Sequence, residues 1–140
     1  MEGLGRARLS GHASAMSRIT LRIDLEGHGS IGPGKIRLLE LVGEAGSIQK
    51  AATAMGMSYA HAWKLVQETG ATFGAALVDA STGGRKGGGT KLTALGRKVI
   101  ELYRRAEQRA AKAAEKEIEQ LKKSALGTST RRRTIKPKRA

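Results

Sequence analysis

Apolar and polar residues alternate near the start of the chain, with Ile19, Leu21, Ile23 and Leu25 on one face and Thr20, Arg22 and Asp24 on the other. A period of two predicts a strand over residues 19–25 with one buried side. Gly27, Gly29, Gly32 and Gly34 with Pro33 follow, and predict a turn-rich connector. The period then changes. Ile36, Leu38, Leu39, Leu41, Val42 and Ala45 form a broad stripe at helical spacing, ended by Gly46. Behind Ser47, a good N-cap, Ile48, Ala51, Ala52 and Met55 fall at i, i+3, i+4 and i+7, the pattern of a short amphipathic helix. Gly56 stands where a left-handed residue ends such a helix, Met57 can plug the corner, and Ser58 caps a second helix. On that helix Tyr59, Ala62, Trp63, Val66, Gly70 and Phe73 are expected on one face, towards the core. Ala60, His61, Lys64 and Glu68 fall on the other.

After Gly74, residues 76–80 read as a strand, 82–89 as a mobile glycine-rich loop, and Thr90, Lys91 and Leu92 as the returning strand. Thr93 caps a long helix whose seam is Leu95, Val99, Leu102, Ala106, Ala110, Ala113 and Leu121, with Tyr103 and Ile118 beside it. Neither Gly nor Pro interrupts residues 97–126, a run of about 40 Å at roughly 1.5 Å per residue. A domain this small does not cover such a helix alone. Pairing with a second copy is therefore expected, through Leu95, Val99, Leu102, Tyr103 and Ala106.

Two short helices joined at a sharp glycine corner, with small Ala52 at the crossing, make a helix-turn-helix signature. Met55, Met57, Ala62 and Leu65 are expected to fill the inside of the corner. The hairpin behind it, with a basic tip, completes a winged version. The fold class expected is mainly α with a small β-wing: a winged helix-turn-helix with a long C-terminal dimerisation helix. An ordinary helical hairpin in an all-α core is the plainer alternative. The expected divisions are a disordered leader (1–18), the winged domain (19–93), the dimerisation helix (94–121) and a disordered basic tail (122–140).

Composition narrows the chemistry. The chain has 140 residues, a net charge of +14 and no cysteine, which excludes disulfides, thiol catalysis and Cys-ligated zinc. Lys122, Lys123, Arg131, Arg132, Arg133, Lys136, Lys138 and Arg139 crowd the last nineteen residues without one acid, a composition that stays disordered and binds polyanions. No apolar run approaches a membrane span, and residues 1–15 lack the apolar block of a signal peptide. The cytoplasm, on the nucleoid, is the expected location, with no membrane partner and with Met16 as an alternative start. Gly27-x-Gly29-x-x-Gly32 and the run from Gly29 to Lys35 imitate nucleotide-binding loops, but Ile36 stands where a phosphate loop needs Ser or Thr, and a second helix follows in place of a parallel strand. His12, His28 and His61 lack metal-ligand spacing, and no nucleophile sits with a base, so no metal, no cofactor and no enzymatic activity are expected.

Double-stranded DNA is the expected partner. Ser58, Tyr59, Ala60, His61 and Lys64 are the candidate base readers. Ser47, Gln49, Lys50, Thr82, Arg85, Lys86, Thr90 and Lys91 are the candidate backbone and wing contacts.

The segments Gly32-Pro33-Gly34-Lys35-Ile36, Gly46-Ser47-Ile48, Ala51-Ala52, Met57-Ser58-Tyr59, Ala62-Trp63 and Ser81-Thr82-Gly83-Gly84, then Gly87-Gly88-Gly89 and Leu92-Thr93, resemble the N-terminal domain of ModE-type molybdate-responsive regulators, itself related to the LysR winged helix. The resemblance covers residues 19–107. It implies a homodimer that binds an inverted repeat in promoters of molybdenum-related genes. Those regulators carry molybdate in C-terminal β-barrel domains, and no strand pattern follows Leu92, so molybdate binding is not carried over. Two other readings compete: a sequence-indifferent nucleic-acid packaging protein working through the tail, and a molybdate-binding or trafficking protein.

Overall fold

The computed structural model describes residues 17–80 and 89–129, with side chains described as far as Ala125. It falls into two compact units, one of Thr20–Glu107 and one joining the segments on either side of it.

In the larger unit β1 (Ile23–Leu25) pairs antiparallel with β2 (Gly29–Ile31), in the register Ile23↔Ile31, Asp24↔Ser30 and Leu25↔Gly29. This corrects the expected connector, half of which is a returning strand that buries Ile31. The first strand is also shorter than its alternation predicts. Leu21 still packs on the core, but its carbonyl accepts the Tyr103 hydroxyl at 2.6 Å.

Helices α1 (Pro33–Ala45), α2 (Ile48–Met55) and α3 (Tyr59–Phe73) follow. Pro33 opens α1, where a missing N–H costs nothing, and Gly46 closes it. Ser47 Oγ accepts the Lys50 N–H at 3.1 Å, and Ser58 Oγ accepts the His61 N–H at 3.0 Å, so both expected caps form. Between them Gly56 takes φ +71°, a value that a residue with a Cβ pays strain to adopt, and its neighbour Met57 donates its N–H back to the Ala52 carbonyl. Ala51, Ala52 and Ala62 are fully buried, which lets the backbones of α2 and α3 approach closely.

The wing consists of β3 (Val78–Asp79) and β4 (Lys91–Leu92), with Val78 opposite Leu92 and Asp79 opposite Lys91. Residues 76 and 77 were expected to extend β3, but their carbonyls serve the next helix. Ala76 accepts from the Thr93 hydroxyl at 2.9 Å, and Leu77 from the Thr93 N–H at 2.9 Å. Thr93 Oγ1 in turn accepts the Gly96 N–H and caps α4 (Ala94–Ala113). Gly96 lies so close to the Leu77 carbonyl that an added Cβ would overlap it. The core is Ile36, Leu38, Leu39 and Val42 of α1, closed by Ile48, Val66, Leu77, Val99 and Tyr103. The architecture is that of a winged helix-turn-helix, mostly helical with two small hairpins.

The uninterrupted long helix is not observed. A turn at Ala114 separates α4 from α5 (Glu115–Ser129), although Ala114 donates to Ala110 and accepts from Ile118 in helical fashion. Helix α5 runs past Leu121 into the segment read as tail; its lysines and Ser124 are good enough helix formers to extend it. Residues 130–140 of that tail, 1–16 of the leader and the wing tip at 81–88 lie outside the described residues.

Candidate nucleic-acid interface

The outward surface of the helix-turn-helix is built by what the inward surface needs. On α3, Ala62, Val66, Thr69 and Gly70 are buried and Leu65 and Phe73 half-buried. Thr69 joins this stripe because its hydroxyl donates to the Leu65 carbonyl at 2.7 Å, which satisfies its polar atom within the helix. The stripe centres on Ala62 and Val66, leaving Tyr59 and Trp63 at its margin. Trp63, expected in the core, is 40% exposed, and Tyr59 is 48% exposed. The correction has a simple geometric cause. Each residue turns about 100° from its predecessor, so a helix centred on Ala62 carries Trp63 round towards solvent.

Ser58, Ala60, His61 and Lys64 are exposed together with Tyr59, so all five candidate base readers share the open N-terminal turns of α3. Lys64 Nζ stands 3.9 Å from Glu68 Oε2, a loose pair in solvent that leaves the ammonium free to leave it. Gln49 and Lys50 are exposed on α2. Ser47 is 6% exposed, and its Oγ accepts the Lys50 N–H as the cap of α2. Thr90 is half-buried, and its N–H is bound to the Gly46 carbonyl at 3.1 Å, which ties the base of the wing to the end of α1. Lys91 is exposed on β4. Thr82, Arg85 and Lys86 lie outside the described residues.

Charge follows the same division. No acidic residue occurs between Glu44 and Glu68, a stretch that holds all of α2, the corner and the first turns of α3. Glu40 of α1 and Glu107 of α4 are held in an ion-pair cluster. Arg104 donates to Glu40 Oε2 at 2.8 Å and to Glu107 Oε1 at 2.8 Å, and Arg37 reaches Glu40 at 3.1 Å. Burial alone would raise the Glu40 carboxyl, but the hydrogen bonds from Arg104 and Arg37 outweigh it and hold the group below its ordinary value. The Glu40 hydrogen bond likewise raises the Arg104 guanidinium above its ordinary value.

The expected dimer seam divides. Val99 and Tyr103 are buried in the chain's own core, so neither can serve a second copy. Leu95 and Ala106 are half-buried, and Leu102 is 49% exposed. Among the described residues no helix is long and apolar enough to cross a membrane, and no group of three His, Cys, Asp or Glu is placed to hold a metal.

Residues 34–97 match the family model of the bacterial regulatory helix-turn-helix protein, lysR family, and this segment is a LysR-type helix-turn-helix domain. Proteins named ModE and MopB are similar to it in sequence. Over 72 residues the chain is 38% identical to the molybdenum transport protein ModE of Herbaspirillum seropedicae, a match over 51% of this chain and 27% of that protein. Over 82 residues it is 40% identical to the molybdenum-pterin-binding protein MopB of Rhodobacter capsulatus, covering 59% and 30%. Over 87 residues it is 36% identical to the DNA-binding transcriptional dual regulator ModE of Escherichia coli K12, covering 62% and 33%. The matched part thus spans about a third of those proteins or less. The crystal structure of a CbnR DBD–DNA complex aligns with a TM-score of 0.47 at 25% identity, over 60% of this chain and 91% of that one.

Proposed function

We propose that the chain is a non-enzymatic, cytoplasmic transcription regulator that binds an inverted-repeat operator in double-stranded DNA as a homodimer. One observation carries this reading above the others. From α2 through the first turns of α3 the helix-turn-helix presents exposed residues with no acid among them, Lys50 and Lys64 included. A duplex offers a negative groove with readable base edges to such a face. Ser58, Ala60, His61 and Lys64 read bases, and Gln49, Lys50 and Lys91 hold phosphates. Leu102 supplies the open apolar contact between copies. The molybdenum-related names of the relatives make promoters of molybdenum-handling genes the first to try.

Competition fluorescence anisotropy at near-physiological salt tests the reading, with upstream duplexes set against random duplex of equal length. A preference of about a thousandfold or more is expected. A ratio near one over a broad set of upstream regions would refute it. Substituting Lys64→Ala or His61→Ala should relax sequence preference, by about 1–3 kcal/mol where the residue makes a good base contact.

A further inference from the structure

Tyr59 and Trp63 lie one helical turn apart at the start of α3, and each exposes 40% or more of its surface. Large aromatic side chains left in water at the margin of a well-formed core call for an explanation, since small shifts of the helix would cover them. Their surroundings identify what covers them. They sit within the stretch from Glu44 to Glu68 that lacks any acidic residue, with His61 and Lys64 on the same turns and Lys50 exposed on α2. An apolar protein surface would not require cations around the patch. A polyanion whose floor carries apolar groups would, and the major groove is one, because thymine C5-methyl groups project there between two rows of phosphates.

We propose that Tyr59 and Trp63 form an apolar reading head that packs on thymine methyl groups, so that this chain discriminates thymine from cytosine by contact area more than by hydrogen bonding. The proposal rests on the DNA-binding reading above and gives it a base preference. Ala60, between the two rings in sequence, keeps the approach to the groove floor free of bulk. Trp63 is the chain's single tryptophan, so its emission reports this patch alone.

The probe is the duplex that the full chain enriches from a randomised pool, resynthesised with deoxyuridine at one thymine at a time. That exchange removes a methyl group and leaves every hydrogen-bonding edge in place, and it leaves the protein unaltered. Loss of about fourfold in affinity is expected at each contacted thymine, from the area that one methyl buries. Trp63 emission should shift to shorter wavelength on the thymine duplex and less on its uracil counterpart. In Trp63→Ser the affinity for the thymine duplex should fall to that for the uracil duplex, while Trp63→Leu, which keeps apolar area, should retain part of the difference. Equal affinity for thymine and uracil duplexes at every position would overturn the reading head while leaving DNA recognition intact. A pool that never enriches would refute the DNA-binding reading, and the reading head with it.

Discussion

A single missing methyl group decides how α4 meets the wing. Gly96 faces the Leu77 carbonyl with no room for a Cβ, and its N–H completes the Thr93 cap. Gly96→Ala is therefore expected to destabilise the domain by about 1–3 kcal/mol, the usual cost of overpacking, as read from the urea midpoint. Gly34 provides the matching control. It sits in the first turn of α1 with open space where a Cβ would go, so Gly34→Ala should be neutral or stabilising by up to about 1 kcal/mol. If both substitutions moved the midpoint alike, the close approach at Gly96 would not be what matters. Such a contact has no signature in the sequence, because it joins Gly96 to a backbone carbonyl. The caps at Ser47, Ser58 and Thr93 were legible, since each needs only one side chain and the amides just beyond it. Trp63 was not. Its helical spacing with Tyr59, Val66 and Phe73 argued for burial, and only the placement of Ala62 and Thr69 in the core fixes the rotation of α3 that exposes it.

At the scale of elements, α1 and α4 are joined by charge as well as by the core. Glu40 accepts from Arg104 through both carboxylate oxygens, at 2.8 and 3.0 Å, and Arg37 adds a third contact. The folded-state carboxyl titrates below its ordinary value of 4.5, so this stabilisation is present above the unfolded value and is lost as pH falls through the lowered one. Glu40→Gln should lower the stability at neutral pH by on the order of 1 kcal/mol, read as a lower melting temperature, the part-exposed geometry keeping the effect small. The gap between wild type and variant should close as the pH is taken below 4.5. A gap of constant size would show that the carboxylate's charge contributes nothing. The helices of this domain follow their apolar periodicity closely, whereas the strands do not. Short strands compete with tertiary partners for the same carbonyls, and here Tyr103 and Thr93 win at Leu21, Ala76 and Leu77. Alternation predicts which side of such a segment is buried but not where pairing stops.

For the whole molecule, the large apolar side chains exposed outside α3 among the described residues are Leu102 on α4 and Leu121 on α5. Leu102→Glu is expected to shift the chain from dimer to monomer in sedimentation, and to weaken binding to a two-half-site duplex far more than to a single half-site. An unchanged sedimentation coefficient would place the interface elsewhere. Removing residues 130–140 withdraws Arg131, Arg132, Arg133, Lys136, Lys138 and Arg139. Every duplex should then bind more weakly by a similar factor, with a flatter dependence on salt. Loss of preference for one sequence would mean that the tail reads bases.

The hydrogen bond from Tyr103 to Leu21 joins residues 82 positions apart. During synthesis, β1 and the three helices of the helix-turn-helix leave the ribosome well before Tyr103 does. The helices can assemble early, since their contacts are local in sequence, but the Leu21 carbonyl ahead of β1 gains its Tyr103 partner only once α4 is made. The domain's oldest residues in time are thus among the last to be fixed in space. A chain stalled before position 103 carries all three helices of the helix-turn-helix on a fold whose residues ahead of β1 still lack their tie to α4.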